Sequence, residues 1–374
     1  MRTAIIHYWI VNNRGGEKVV QSLCRMFPDA VIFTHIADHA LAAKLFPGHE
    51  IRTTFISKLP FARRHYQSYL PLMPMALEEL DLREFDLILS SESGPAKGII
   101  PSPDAAHICY CHSPMRYLWD QYYLYREDAG FLKKRAMAPL THKLRQWDVT
   151  SASRVDQFVA NSKFVASRIK KYYRRDSAVV HPPVDLAPLL RLERGQNSTY
   201  AGAYLWVGQL TAYKNPELAI AAIKRTNRKL VVIGEGEQSA KLAAEAGDQI
   251  QFLGRADQKT LHEALSSCKA LLFPGVEDFG IVPVEAAAAG LPVIALGRGG
   301  ATETVLHDKT GILFETPTVE AMITAIDEFE QKQEAIEVNA MRAHAQHFSL
   351  DRFEEQMTTI LGEHGVKPSA RTHQ

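Results

Sequence analysis

Short apolar runs recur along the chain, separated by polar turns and by stretches with helical apolar spacing. In the first half, runs at residues 3–8, 30–34, 86–90, 107–111 and 156–160 predict strands. Residues 16–25 carry the spacing of an amphipathic helix. This alternation predicts a parallel sheet covered by helices on both faces. The pattern breaks at His181-Pro182-Pro183-Val184-Asp185, because paired prolines remove donors and fix φ. Residues 186–200 are polar and irregular and read as a linker. The alternation then restarts, with strands predicted at 204–207, 230–233, 250–253, 270–273 and 292–295. The expected architecture is therefore two similar α/β halves in tandem, residues 1–185 and 186–345. A final segment, 346–374, carries a helix over 350–361 that returns toward the first half, and then a frayed tail from His364.

A chain of 374 residues is too long for one hydrophobic core, which agrees with two domains. Net charge is +1 and gives no global nucleic-acid signal. It is unevenly spread: residues 1–190 hold 25 Lys+Arg against 18 Asp+Glu, and the remainder 18 against 24. Cys24, Cys109, Cys111 and Cys268 fit neither a disulfide scaffold nor a zinc template. No apolar run approaches the ~18 residues of a spanning helix, and no basic region precedes the apolar start. A cytoplasmic protein is expected.

The segment Phe273-Pro274-Gly275-Val276-Glu277-Asp278-Phe279-Gly280-Ile281-Val282-Pro283-Val284-Glu285 carries the strongest chemical signal. A buried strand ends at Pro274, a loop follows, and a helix is predicted to start near Pro283. The free N–H groups of Gly280, Ile281 and Val282 then face outward at a positive helix terminus suited to a diphosphate. Glu277 in the loop and Glu285 in the first turn can border one pocket. As carboxylates they only accept hydrogen bonds, which suits a ribose diol and a sugar. The plainer alternative is that both merely favour the helix N-terminus. In Val207-Gly208-Gln209-Leu210-Thr211-Ala212-Tyr213-Lys214-Asn215, Lys214 would hang over the carboxyl edge of the sheet as a phosphate partner or as a solvated lysine. Arg14-Gly15-Gly16 joins the first strand to a helix and allows close backbone approach to a ligand. Gly234-Glu235-Gly236 lacks the spacing of a dinucleotide fingerprint and reads as a tight turn.

His107-Ile108-Cys109-Tyr110-Cys111-His112 cannot converge on a metal, because His107, Cys109 and Cys111 face one way along a strand and His112 the other. His112 ends its strand at the edge of the expected cleft, which makes it a candidate site residue. No Asp-x-Asp pair occurs, so no metal is expected to hold a diphosphate. Basic clusters at 62–66, 133–135 and 168–175 are either solvated surface or an attraction to anionic lipid or to an acceptor pyrophosphate.

Together, Gly208…Lys214, the Glu277-to-Glu285 segment and the two-half layout resemble the retaining glycosyltransferases of family 4. The resemblance extends over nearly the whole chain. Tyr8-Trp9-x-Val11-Asn12-x-Arg14-Gly15-Gly16-Glu17-Lys18, Lys58-Leu59-Pro60-Phe61-Ala62-Arg63-Arg64 and Tyr110-Cys111-His112-Ser113-Pro114-Met115-Arg116-Tyr117 are similar to bacterial mannosyltransferases of the WbaZ type. The resemblance implies the GT-B fold, two Rossmann-like domains with parallel sheets facing a central cleft. It implies α-mannosyl transfer from GDP-mannose, without a metal or cofactor, to a lipid-linked saccharide of O-antigen or exopolysaccharide. The enzyme would be cytoplasmic and peripheral on the inner face of the cytoplasmic membrane, where anionic lipid is a candidate partner.

Roles follow by the same resemblance. Glu285 holds the ribose, Glu277 contacts the transferred sugar, and Lys214 holds the diphosphate. Gly280, Ile281 and Val282, with Phe279 beside them, and Gly208 with Gln209 belong to the donor site. Gly254 and Arg255 meet the base. Gly15 and Gly16 approach the donor from the first domain, and His112 sits against the sugar; Glu277, His112 and Lys214 form the catalytic set. Many family members have Arg at the position of Gln209, so Lys214 carries more of the phosphate charge here. An epimerase of the same fold would need a further base over the sugar, and no carboxylate or His pair is assigned to it. A non-catalytic nucleotide-sugar binder would show a damaged donor site, and Gln209 alone departs from the pattern.

Overall fold

The computed structural model describes residues 1–127, 130–195 and 198–368; the side chains of residues 131–133 and 136 fall outside that description. The chain forms two compact units. One runs from Met1 to Pro182 and is completed by the segment from Phe353 onward, and the other is Pro183–Arg352.

The first unit is built on β1 (Thr3–His7), β2 (Val31–Thr34), β3 (Ile51–Thr53), β4 (Leu87–Glu92), β5 (Ala106–Cys111), β6 (Gln157–Ala160) and β7 (Ser177–Val179). All pairings are parallel, in the order β3-β2-β1-β4-β5-β6-β7. The second unit holds β8 (Tyr204–Val207), β9 (Leu230–Ile233), β10 (Ile250–Gly254), β11 (Leu271–Phe273), β12 (Val293–Leu296) and β13 (Gly311–Phe314). Its order is β10-β9-β8-β11-β12-β13, again all parallel. Both sheets therefore reverse direction of strand addition once, between β1 and β4 and between β8 and β11. Open α/β sheets bind ligands at the carboxyl ends of the strands beside such a reversal. The central strands are buried on both faces because helices cover both; Ile5, Ile32, Leu87, Leu205, Leu271 and Ile294 are all fully enclosed.

Three strands escape the sequence pattern: β3, β7 and β13. Each sits at a sheet edge, pairs on one side only, and is three or four residues long. Ile-Arg-Thr and Ser-Ala-Val are only half-buried, so they carry little apolar signal. The stretch read as a linker also differs from expectation. Leu186 and Leu189 enter the core of the second unit, and Arg194 donates to the carbonyls of Leu265 and Cys268. Val184 pairs with Ser349, so the entry and exit of that unit run side by side. The last helix, Leu350–Glu363, packs Phe353, Met357, Ile360 and Leu361 among Ile5, Val19 and Tyr110 of the first unit.

The Gly234 turn is a structural device. Its φ is +138°, and a Cβ there would stand 1.7 Å from the Gly208 carbonyl oxygen. Gly234 N donates to Gly254 O, and Leu210 N to Glu235 O, so the loops after β8, β9 and β10 are tied together. Gly234→Ala is expected to destabilise by upward of about 2 kcal/mol, through backbone strain and the forced separation of two loops. Urea unfolding reads this as a lowered midpoint at constant slope. An unchanged midpoint would show that the close approach carries no stability.

Candidate active site

In the second unit the site lies at the β8/β11 reversal. After β8 the chain passes Gly208 and Gln209 and makes a single 3-10 turn, Ala212–Lys214. Asn215, at φ +51°, then caps the helix Pro216–Lys224, whose proline occupies the first turn. Lys214 is held between strands, and its Nζ donates to Glu277 Oε1 at 2.6 Å. Both side chains are largely buried, at 14% and 18% exposure. The sequence placed these two groups separately, on phosphate and on sugar; the fold pairs them. An ammonium has three donors and Glu277 takes one, so Lys214 can hold Glu277 and a phosphate together.

The helix after β11 starts earlier than its proline suggests. It runs Ile281–Ala288, with Gly280 as N-cap at φ +88°. The N–H groups of Ile281 and Val282 thus lie in its open first turn. Glu285 is fifth in the helix, not in the first turn, and is half-buried. The macrodipole contribution fades beyond the first turn, which weakens the view that Glu285 serves only the helix terminus. The Phe279 ring lies in the core, 3% exposed and 5.4 Å from Phe348. Gln209 and Arg255 are exposed at the carboxyl edge. Gly254 ends β10, the outermost strand, and Arg255 follows it; Gly234 N donates to Gly254 O, which ties this edge to the loop after β9.

Three glycines beyond the sequence-predicted set shape this site. A Cβ on Gly275 would meet the Lys214 backbone at 2.7 Å, one on Gly299 the Glu277 carbonyl at 2.4 Å, and one on Gly300 Phe279 at 2.3 Å. Gly300 N also donates to Glu277 O. The signal for Gly299 and Gly300 was present as Gly297-Arg298-Gly299-Gly300 directly after an apolar run, and Gly275 stands within the Phe273-to-Glu285 segment.

In the first unit, Gly15 and Gly16 open the helix Gly15–Met26 after β1. A Cβ on Gly16 would stand 2.7 Å from the Tyr8 hydroxyl. Glu17 closes the helix start by accepting from Arg14 N at 2.9 Å, and its carboxylate is 2% exposed. His112 follows β5 and is half-buried, with Nε2 2.8 Å from Ser91 Oγ. Burial pushes its pKa down to about 3, with His7 acting in the same sense, so the ring is neutral at physiological pH. His107 commits both ring nitrogens, to Ser90 and to the Arg154 carbonyl.

Beneath His112 lies a charged cluster that the sequence did not reveal. Lys97, Glu92 and Asp148 have no exposed side-chain surface, and the Lys97 ammonium contacts both carboxylates. Burial works against a charged Lys97, but Asp148 and Glu92 outweigh it and raise its pKa. Glu92 Oε2 accepts from Ala96 N and Lys97 N, and Glu92 O from His112 N. The cluster thereby fixes the loops after β4 and β5. Arg168, read from sequence as part of a basic surface, is 5% exposed and binds Ser113, the Pro114 carbonyl and Asp120. Of the other basic groups, Arg63, Arg64 and His65 are exposed, Lys170 is on Asp176, and the Lys133 side chain lies outside the described residues.

Among the described residues, His307, Asp308 and Glu328 are the group close enough to share an ion. Lys332 already binds both carboxylates at 2.9 and 2.7 Å, and His307 Nδ1 accepts from Leu313 N. No helix of the described residues is long and apolar enough to cross a membrane.

The chain matches two family models, one over most of each unit. Residues 13–188 match Glycosyltransferase Family 4, and residues 200–347 match Glycosyl transferases group 1. The fold is that of solved GT-B structures: Anabaena HepE in complex with UDP and glucose aligns at a TM-score of 0.71 with 15% identity, over 97% of this chain and 99% of that one. The chain belongs to the family 4 glycosyltransferases of GT-B fold. Among curated relatives, the GDP-mannose-dependent alpha-(1-6)-phosphatidylinositol monomannoside mannosyltransferase of Mycobacterium tuberculosis is 34% identical over 33% of this chain and 36% of its own length. The alpha-1,3/1,6-mannosyltransferase of Schizosaccharomyces pombe is 26% identical over 75% of this chain and 62% of its own. The chain spans about half the length of other curated relatives it matches, 52% and 50% for two of them.

Proposed function

We propose that this protein transfers an α-mannosyl group from GDP-mannose, with retention, to a lipid-linked saccharide, as a WbaZ-type enzyme of O-antigen or exopolysaccharide assembly. The observation that carries the reading is the β8/β11 reversal, where the Lys214–Glu277 pair and a helix N-terminus lie on adjacent loops. Mannosyltransferases among the relatives support the choice of sugar. Lys214 and the N–H groups of Ile281 and Val282 hold the diphosphate and stabilise it as it leaves. Glu277 and Glu285 accept hydrogen bonds from sugar and ribose hydroxyls. With both glutamates so engaged, neither serves as a nucleophile below the anomeric carbon. The acceptor hydroxyl then attacks from the face the diphosphate leaves; the C–O bond to phosphate breaks, and a phosphate oxygen takes the hydroxyl proton.

Incubation with GDP-mannose and a prenyl-diphosphate glycan tests this. An α-mannoside product, formed equally with EDTA, is expected. A β linkage by NMR, a glycosyl adduct on Glu277, or activity lost to chelator and restored by Mg²⁺ would each overturn its own part. Epimerised nucleotide sugar, or binding without turnover, would overturn transfer itself. GDP and GDP-mannose should raise the melting temperature more than UDP-glucose, because only a ligand that binds the folded state stabilises it.

On this reading the enzyme works in the cytoplasm at the inner membrane face, and residues 61–65 are the surface assigned to the membrane contact. Phe61 is 80% exposed and adopts φ +53°, a conformation costly for an aromatic residue, beside exposed Arg63 and Arg64. Sedimentation with phosphatidylglycerol vesicles is expected to fall as salt rises, and to fall with Phe61→Ser. Salt-independent binding, or none, would assign these residues to plain solvated surface.

A further inference from the structure

The second unit carries a cavity at the amino edge of its sheet, opposite the carboxyl-end loops. Its volume is about 560 Å³, the size of a small-molecule site. Gly202, Asn227, Arg228, Lys229, Lys269 and Glu330 line it. Strand order assembles it. β8 lies between β9 and β11, and Gly202, Lys229 and Lys269 stand just before β8, β9 and β11 in turn. Tyr204 N donates to Lys229 O and Lys269 N to Ala203 O, so the two lysines flank the start of β8. In a parallel sheet these strands begin at one edge and end at the other, where Lys214 and Glu277 lie. The cavity is therefore separate from the candidate active site.

Its charges do not cancel. Glu330 stands near the end of the helix Val319–Lys332. Its Oε1 accepts from Tyr204 Oη at 2.7 Å, Arg228 Nε at 3.1 Å and Lys269 Nζ at 3.3 Å, and its Oε2 from a terminal nitrogen of Arg228 at 2.6 Å. A carboxylate offers about four lone-pair sites, so these donors fill it. Arg228 foremost holds its pKa down to about 2, against the effect of burial. Arg228 also binds Asp327. Two carboxylates thus meet three cations. Lys269 uses one of its three donors on Glu330, the second terminal nitrogen of Arg228 makes no bond among the described residues, and the exposed Lys229 ammonium has no partner among them. This positive surplus lies in residues 191–374, which hold 18 Lys+Arg against 24 Asp+Glu.

Cations gathered in a concave site without matching acceptors repel one another, and a bound anion relieves that repulsion. Space for one is present: Gly202 sits at φ +79°, and a Cβ there would meet nothing within 4 Å. A phosphate monoester brings about two negative charges and three acceptor oxygens, which matches three separate cations better than a carboxylate does. Asn227 adds an amide that both donates and accepts, which suits a hydroxyl carried beside the phosphate. We propose that this cavity is a second ligand site, which binds a phosphate monoester through Lys229, Lys269 and Arg228 at the edge of the sheet remote from the donor loops. The site stands or falls independently of the transferase reading.

Isothermal titration of the full chain with glucose 1-phosphate and with inorganic phosphate tests it. Saturable binding of both is expected, tighter for glucose 1-phosphate and weaker as NaCl rises. The double variant Lys229→Ala, Lys269→Ala should weaken it at least roughly tenfold, the scale of one hydrogen bond to a charged group, and Lys214→Ala should leave it unchanged. Lys229→Ala alone removes an exposed side chain without a protein partner, so it should keep the melting temperature and still weaken binding. Inorganic phosphate bound as tightly as the ester would overturn the ester and make free phosphate the ligand. No saturable binding of either probe, or equal affinity in parent and double variant, would overturn the site. Loss of binding in Lys214→Ala would assign it to the carboxyl-edge loops and overturn the site as well.

Discussion

Lys214→Ala is expected to lower kcat by about 10²- to 10³-fold while raising donor KM far less. That is the cost of removing one preorganised donor from a group whose charge grows in the transition state. The structure sharpens the expectation. Lys214 Nζ is bound to Glu277 at 2.6 Å, so its removal also leaves a largely buried carboxylate without its partner. Two effects are therefore mixed, and a double-mutant cycle separates them. If Lys214 acts mainly by holding Glu277, then Lys214→Ala, Glu277→Ala and the double variant should lose similar amounts of kcat. If it also holds the leaving diphosphate, the double variant should be slower than Glu277→Ala. Lys214→Arg keeps the charge but replaces a compact ammonium with a planar fork, in a space bounded by the Gly275 and Gly208 backbone, and should recover activity only in part. A variant with unchanged kcat and raised KM would make Lys214 a ground-state binder and remove it from the catalytic set.

Glu285→Ala should weaken GDP binding by roughly 2 to 4 kcal/mol, the worth of one or two hydrogen bonds to a charged acceptor, or about 30-fold to about 10³-fold in Kd. Glu285→Gln keeps an acceptor oxygen of the same reach and should lose less. Folding should be little affected, because Glu285 is half-buried and stands beyond the first turn of its helix, where the dipole contribution has faded. Isothermal titration with GDP, paired with thermal unfolding without ligand, distinguishes the outcomes. An unchanged Kd would sink the ribose assignment. A lowered melting temperature without a change in Kd would make the residue structural.

Much of this molecule is legible one segment at a time. The tandem parallel α/β layout follows from short apolar runs alternating with helical spacing, because period and length are local properties. The carboxyl-edge loops are equally plain, since glycine, proline and charged residues cluster where each buried strand ends. The limits are just as physical. β3 and β7 were not visible because an edge strand needs only one neighbour, and these two are three residues long and half-buried. The helix start at Ile281 was displaced from Pro283 because Gly280 reaches a left-handed capping conformation that a proline-based rule does not see.

By itself, then, the sequence determined the class of fold, the place of the candidate loops and the identity of most candidate residues. Tertiary structure alone decided which of those residues meet. It set Lys214 against Glu277, 63 positions away, because the sheet order puts β8 beside β11. It drew Arg168 out of an apparent basic surface and under the His112 loop, and Phe279 into the core. It also linked Glu17, His7, Ser91 and His112, because β1, β4 and β5 are neighbours in space and not in sequence. Periodicity and turn chemistry are written into each short window, whereas the partner of a buried charge is chosen by strand order, and strand order is a property of the whole chain.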